Sequence, residues 1–105
     1  MTKTINISYC HCSLDELAAA DRQLVEAAFE ATRQAYAPFS GFRVGAAARL
    51  RSGEIITAAN CESEVFPSGL CAERSLLHYY ATNYATDPIE ALAIAPDPSE
   101  RECYP

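Results

Sequence analysis

The sequence predicts one α/β domain in which two helices pack on a sheet of three strands. Three observations predict it: apolar residues at helical spacing before Pro38, alternation from Phe42 to Leu50, and a second helical stripe followed by another alternating segment. With 105 residues, half of them apolar, the chain is long enough for one hydrophobic core and short for two domains. We therefore treat residues 1–105 as one domain, with residues 1–12 as an N-terminal arm.

The first helix is expected before Pro38. Ser13 and Glu16 have the spacing of a capping box, and Asp21 offers a second helix start. The apolar face at helical spacing consists of Leu24, Val25, Ala28, Phe29, Thr32 and Ala35. Pro38 ends this helix, because the residue before a proline is disfavoured in the helical conformation. In the arm, isoleucines alternate with polar residues, which fits either an edge strand or irregular chain.

A β-hairpin is expected next. The segment from Phe42 to Leu50 alternates with period two, which is typical of a strand. One face carries Phe42, Val44, Ala46, Ala48 and Leu50, and the other carries Arg43, Gly45, Ala47 and Arg49. Ser52 and Gly53 form a turn signal, and residues 54–59 are β-branched enough to be the returning strand.

A loop and a second helix follow the hairpin. Residues 60–69 contain Pro67, Ser68 and Gly69 and predict a loop that leads into a helix beginning near Leu70 or Cys71. The apolar stripe of this helix is Leu70, Leu77, Tyr80, Ala81 and Tyr84. Residues 89–95 alternate as a third strand. Nothing after this strand covers its edge, so the predicted sheet looks unfinished.

Charge and composition exclude several classes of protein. Fourteen acidic and eight basic residues give a net charge of −6, so the surface repels phosphate backbones and nucleic acid is excluded as a partner. No stretch approaches the roughly 20 apolar residues of a membrane helix, and the first ten residues do not form a secretion signal. We therefore expect a cytoplasmic protein that binds a small neutral ligand. The five cysteines are odd in number, which favours reduced thiols or metal ligands over a disulfide framework.

The strongest chemical signal is Cys71-Ala72-Glu73-Arg74 at the expected start of the second helix. Unpaired N–H groups and the helix dipole favour a thiolate there, and Arg74 would favour it further. Taken alone, the motif also fits a buried structural thiol, and Phe42, Asn60 and Glu62 taken singly fit a core residue, a turn residue and a loop charge. A second cluster, Cys10-His11-Cys12, has short spacing for one tetrahedral metal site and is set aside.

Three segments together resemble the cytidine deaminases. The residues are Tyr36-Ala37-Pro38-Phe39-Ser40-Gly41-Phe42-Arg43-Val44-Gly45-Ala46-Ala47, then Asn60-Cys61-Glu62, then Pro67-Ser68-Gly69-Leu70-Cys71-Ala72-Glu73-Arg74-Ser75. Their order and spacing also match, and the resemblance covers roughly residues 15–105. It implies a three-layer α/β/α sandwich of the cytidine deaminase type, here without its C-terminal helix and last strands.

The resemblance also implies roles for single residues. Cys71 would be one zinc ligand, Glu73 the proton shuttle for the zinc-activated water, and Arg74 a donor to the zinc-bound thiolates. The substrate-binding residues would be Phe42 against the pyrimidine, Asn60 and Glu62 on the ribose hydroxyls, Ala72, and Phe66, whose position reaches into a neighbouring subunit. The reaction would convert cytidine and deoxycytidine to uridine and deoxyuridine in pyrimidine salvage. Small cysteine-ligated members of the family assemble as homotetramers, so a homo-oligomer is expected.

The sequence departs from the family at its end. The family pattern continues with Pro-Cys-x-x-Cys, which supplies two further zinc ligands, whereas this chain ends with Cys103-Tyr104-Pro105. Cys103 precedes the proline and does not occupy a ligand position. The chain as written is therefore expected to lack a complete zinc site and to be inactive, as a truncated part of an active deaminase. The alternatives are a metal-free nucleoside-binding or assembly remnant, and a deaminase of a modified cytosine nucleoside such as blasticidin.

Overall fold

The computed structural model describes residues 3–63 and 69–97. Its two α-helices and three strands are α1 (Ala19–Ala31), β1 (Val44–Leu50), β2 (Ile55–Ala59), α2 (Ala72–Asn83) and β3 (Ile89–Pro96), with short 3-10 helices at Leu14–Glu16 and Thr32–Gln34. The predicted order of helix, strand, strand, helix and strand is confirmed. Residues 3–12 form neither a helix nor a strand, and nearly all of them are exposed.

The predicted starts of both helices need correction. Helix α1 begins at Ala19 after Ala18, two residues before Asp21. The Asp21 carboxylate lies in the first turn, where it suits the helix dipole, and it accepts hydrogen bonds from Arg49 of β1 at 3.2 and 3.3 Å. Ser13 makes no capping bond to the main chain; its hydroxyl donates to the Glu16 carboxylate at 3.1 Å. Helix α2 was predicted to begin near Leu70 or Cys71. It begins at Ala72, and Cys71 is in the N-cap position.

The sheet is antiparallel and has the order β2-β1-β3. The hairpin pairs β1 with β2 in the register Ala47 opposite Thr57, and β3 pairs with the other edge of β1 in the register Ala47 opposite Ala93. Helix α2 therefore carries the chain from one edge of the sheet to the other. As a result, β1 is the central strand, and both of its edges are hydrogen-bonded.

The two helices pack on opposite faces of the sheet. The core on the α2 face contains Ala46, Ala48, Leu50, Ile56, Ala72 and Leu76, and the core on the α1 face contains Leu24, Ala28, Ala47 and Ala95. Alternate residues of β1 thus enter different cores, as its period-two pattern predicts. This arrangement confirms the three-layer α/β/α fold class.

Gly45 brings α1 close to the centre of the sheet. A β-carbon built on Gly45 would lie 2.0 Å from the Ala28 carbonyl oxygen and 2.9 Å from the Thr32 nitrogen. Both of these atoms belong to the main chain, so they cannot move aside as a flexible side chain would. The close packing of α1 on β1 therefore requires glycine at position 45.

Helix α2 covers only part of its face of the sheet. It packs on β1 and β2, whereas Leu92 and Ile94 of β3 are 44% and 48% exposed. These two residues pair with Ala48 and Ala46 and so lie on the α2 face. The β3 side of this face is an uncovered apolar surface. No helix in the described ranges has both the length and the apolar composition needed to cross a membrane.

Candidate functional site

A short ladder of backbone hydrogen bonds joins the three segments that resemble the cytidine deaminases. The Tyr36 N–H donates to the Asn60 carbonyl at 3.0 Å, and the Glu62 N–H donates to the Tyr36 carbonyl at 2.8 Å. On the other side, Cys61 and Leu70 exchange two N–H to carbonyl bonds, each of 2.8 Å. The segment of residues 60–62 therefore lies between the turn after α1 and the start of α2, which brings together residues far apart in sequence.

Asn60 is held by the main chain of the segment that enters β1. Its Oδ1 accepts a hydrogen bond from the Val44 N–H at 2.9 Å, and its Nδ2 donates to the Phe42 carbonyl at 2.9 Å. Its own N–H donates to the Val44 carbonyl at 3.2 Å. The Asn60 side chain thus continues the β1–β2 ladder and fixes the backbone of Phe42, which is half-buried.

The Glu62 carboxylate accepts three hydrogen bonds from the turn before β1. The N–H groups of Phe39 and Ser40 donate to its Oε1 at 2.9 and 3.1 Å, and the Ser40 hydroxyl donates to its Oε2. These bonds favour the ionised form, the Ser40 side chain most strongly, and they lower the pKa of Glu62 below its ordinary value against a smaller opposing effect of burial. A solvent-accessible, ionised carboxylate at this position is available to accept hydrogen bonds from a ligand.

The start of α2 presents the cysteine and glutamate of the central motif. Cys71 occupies the N-cap position with an extended backbone and is exposed, and Glu73 lies half-buried in the first turn. The helix start gives this thiol unpaired N–H groups as neighbours. Ala72 is buried in the α2 core, and Arg74 is exposed. All four cysteines of the described ranges, Cys10, Cys12, Cys61 and Cys71, are free thiols.

The described residues do not assemble a metal site. Within residues 3–63 and 69–97, no group of three or more histidine, cysteine, aspartate or glutamate side chains is placed to hold an ion. This result covers Cys10-His11-Cys12 and the Cys71-Glu73 pair. Phe66 and Cys103 lie outside the described residues. One open cleft of about 540 Å³ lies between the β2 edge and α2, and another of about 840 Å³ lies along the outer face of α1. Neither cleft is lined by a predicted site residue.

Ser40 is the site residue that sequence reasoning missed. It was part of a matching segment but received no role. The available signal was a serine next to a glycine in a turn, because such hydroxyls often bond the main chain two residues further on. Here the Phe42 N–H donates to the Ser40 hydroxyl at 3.0 Å.

Comparison with known proteins identifies the family. The cytidine deaminase of Halalkalibacterium halodurans is 37% identical over 78 residues, which cover 73% of this chain and 58% of that protein. The cytidine deaminase of Sporosarcina psychrophila is 33% identical over 75 residues, covering 71% and 54%. No protein-family model matches the chain.

Solved structures give the same result. The cytidine deaminase of Burkholderia pseudomallei has a TM-score of 0.66 at 36% identity, covering 70% of this chain and 59% of that one. The cytidine deaminase of Mycobacterium leprae has a TM-score of 0.65 at 33% identity, covering 75% and 65%. The fold and the three matching segments thus define an α/β/α domain of the cytidine deaminase type. Over the aligned residues, the chain belongs to the cytidine deaminase family, and it spans 54–58% of the length of the curated relatives it matches.

Proposed function

We propose that the protein acts in the hydrolytic deamination of cytidine and deoxycytidine to uridine and deoxyuridine, a step of pyrimidine salvage. The observation that carries this proposal is the ladder through Tyr36, Cys61 and Leu70, because it ties the Phe42 segment, Asn60 and Glu62 to the start of α2. Relatives that are named cytidine deaminase support the reaction class.

The proposed roles follow the chemistry of each side chain. Phe42 contacts the pyrimidine ring, and Asn60 and Glu62 bind the ribose hydroxyls, for which a carboxylate is a strong acceptor. Ala72 and Phe66 complete the substrate contacts. Glu73 transfers protons one at a time: it takes a proton from the attacking water and gives it to the ring nitrogen, then takes the remaining proton of the added hydroxyl and gives it to the amine, which leaves as ammonia when the carbon–nitrogen bond breaks. The negative charge of Glu62 favours a free nucleoside over a nucleotide phosphate.

Zinc is the cofactor that the family resemblance implies, and in an intact site it activates the attacking water. A catalytic zinc normally takes three protein ligands, and the described residues offer Cys71 as one. The described residues alone therefore do not fit a zinc ion. Among them, Arg74 has no zinc-bound thiolates to contact. The second candidate function is a metal-free module that binds nucleosides or assembles with other copies. We also propose self-association, with a tetramer as the assembly of a complete domain.

Three measurements on the purified chain separate the two candidates: bound zinc, ammonia release from cytidine, and cytidine binding. Ammonia release with bound zinc supports the deaminase, and Glu73→Gln should then lower turnover by about 10²–10⁴-fold while binding persists. Cytidine binding without zinc or ammonia release supports the metal-free module. Absence of cytidine binding contradicts nucleoside recognition in both. Blasticidin, tested beside cytidine, identifies a preference for modified cytosine nucleosides.

A further inference from the structure

The Ser40 hydroxyl lies between two residues that the proposed function assigns to the substrate. It donates to Glu62 Oε2, and it accepts a hydrogen bond from the Phe42 N–H at 3.0 Å. The Ser40 N–H donates to Glu62 Oε1 at 3.1 Å. One small side chain therefore connects the residue proposed for the pyrimidine ring with the residue proposed for the ribose.

The two carboxylate oxygens of Glu62 accept hydrogen bonds from different donors. Oε1 accepts from two main-chain N–H groups, of Phe39 and Ser40, whereas Oε2 accepts from the Ser40 hydroxyl. A carboxylate offers about four lone-pair positions, so these three bonds leave Oε2 with capacity for another donor. A glutamate fixed before the ligand arrives loses less side-chain entropy on binding than one that must be ordered at that moment.

The turn around Ser40 is built to present these donors. The Gly41 N–H closes it by donating to the Ala37 carbonyl at 3.0 Å, and Gly41 has a φ of 70°, which glycine adopts at little cost. Within this turn, the N–H groups of Phe39 and Ser40 both donate to Glu62 Oε1. Among the described residues with a hydrogen bond to Glu62, Ser40 is the one that contacts both carboxylate oxygens.

We propose that Ser40 is a positioning residue for nucleoside recognition. It holds the Glu62 carboxylate in one orientation for the ribose hydroxyls and couples that orientation to the main chain of Phe42. This inference rests on the proposed function, since it assumes that Glu62 binds the ribose. Ser40 itself needs no contact with the substrate.

The chain contains a matched control for this arrangement. At the β1–β2 turn, the Ser52 N–H donates to Asp87 Oδ1 at 3.2 Å, the Ser52 hydroxyl donates to Asp87 Oδ2 at 2.5 Å, and the Glu54 N–H donates to the Ser52 hydroxyl at 3.4 Å. Ser52 thus repeats the hydrogen-bond pattern of Ser40 away from the site. Ser52→Ala removes an equivalent set of bonds without touching Glu62.

The first test is nucleoside binding, measured by NMR titration of the isotope-labelled chain. We expect Ser40→Ala to weaken cytidine binding about five- to tenfold, as expected for one hydrogen-bonding contribution. Ser40→Thr, which keeps the hydroxyl, and Ser52→Ala should stay within about twofold of the wild type. Binding of 2′,3′-dideoxycytidine, which lacks the 2′- and 3′-hydroxyls and keeps the 5′-hydroxyl, should be the same for the wild type and Ser40→Ala. Equal affinity of Ser40→Ala and the wild type for cytidine, or an equal loss in Ser52→Ala, overturns the proposal.

The second test needs no nucleoside. The pKa of Glu62, followed through the amide signals of Phe39 and Ser40, should rise toward its ordinary value in Ser40→Ala and remain low in Ser52→Ala. An unchanged Glu62 pKa in Ser40→Ala overturns the positioning role. A further outcome is that the wild-type chain does not bind cytidine, whereas the Glu62 pKa rises in Ser40→Ala. That outcome contradicts the nucleoside function but supports the positioning of Glu62 by Ser40. The two failures are therefore distinguishable.

Discussion

Asn60 uses both ends of its amide on the main chain, which gives it a structural role beside its proposed role at the ribose. Its oxygen satisfies the Val44 N–H and its nitrogen satisfies the Phe42 carbonyl, each at 2.9 Å. An amide group has two donor hydrogens and two acceptor lone pairs, so one of each remains for a ligand. Loss of this side chain should therefore disturb folding and binding together.

Replacement of Asn60 by alanine tests the structural role. Asn60→Ala leaves two part-buried main-chain groups without their partners, and we expect the free energy of unfolding to fall by about 1–3 kcal/mol. The control is Asn83→Ala, which removes one exposed bond from Nδ2 to the Tyr79 carbonyl at 3.0 Å and should cost under about 0.5 kcal/mol. Urea denaturation monitored by circular dichroism measures both. Equal losses in the two variants would contradict the bridging role of Asn60.

At the scale of elements, the contact between α1 and β1 is the least tolerant of added volume. Gly45→Ala places a methyl group against main-chain atoms of α1, and we expect it to lower the free energy of unfolding by about 1–3 kcal/mol or more. Gly41→Asn is the control: no atom lies within 4 Å of its added β-carbon, and asparagine tolerates a φ of 70°. Thermal unfolding should separate the two variants clearly; a stable Gly45→Ala chain would show that α1 can shift away from the sheet.

Sequence patterns predicted elements better than their ends. The alternation from Phe42 to Leu50 assigned Ala46 and Ala47 to opposite cores, because a central strand with two covered faces keeps its side chains strictly alternate. The start of α1, at Ala19, lies between the two predicted starts at Ser13 and Asp21, and Asp21 bonds Arg49 of β1 instead of capping its own helix. The bond between Asp21 and Arg49 joins residues 28 positions apart, so a local sequence pattern does not predict it.

The candidate site was predictable to a similar degree. The family resemblance selected Asn60, Glu62, Cys71 and Glu73, and the structure describes where each of them lies. It did not select Ser40, because the bond of Ser40 to Glu62 spans 22 residues and depends on how the turn is folded. Roles assigned by resemblance alone, such as that of Phe66, remain predictions.

At the scale of the whole molecule, the uncovered part of the α2 face is the main exposed apolar feature of the sheet in the described ranges. It consists of Leu92 and Ile94 on β3, an edge strand whose outer side is not paired with another named strand. Exposed apolar strands at a sheet edge favour association with another chain.

This surface predicts concentration-dependent self-association of the chain as given. Leu92→Lys combined with Ile94→Lys should shift the protein toward the monomer, because charges on an edge strand oppose strand pairing. The control pair, Ile5→Lys with Ile7→Lys, removes two isoleucines of greater exposure from the arm and should leave association unchanged. Sedimentation velocity over a range of concentrations measures the outcome. A monomeric wild-type chain would contradict the prediction.

The central position of β1 has a consequence for hydrogen exchange. Its amides are bonded on both edges and its side chains enter both cores, so they should exchange with solvent only when the whole domain opens. The Val44 N–H at the start of this strand is bonded to the Asn60 side chain. The geometry around Asn60 is thereby attached to the slowest-opening part of the molecule, and it should persist through the smaller fluctuations that release the edges of the sheet.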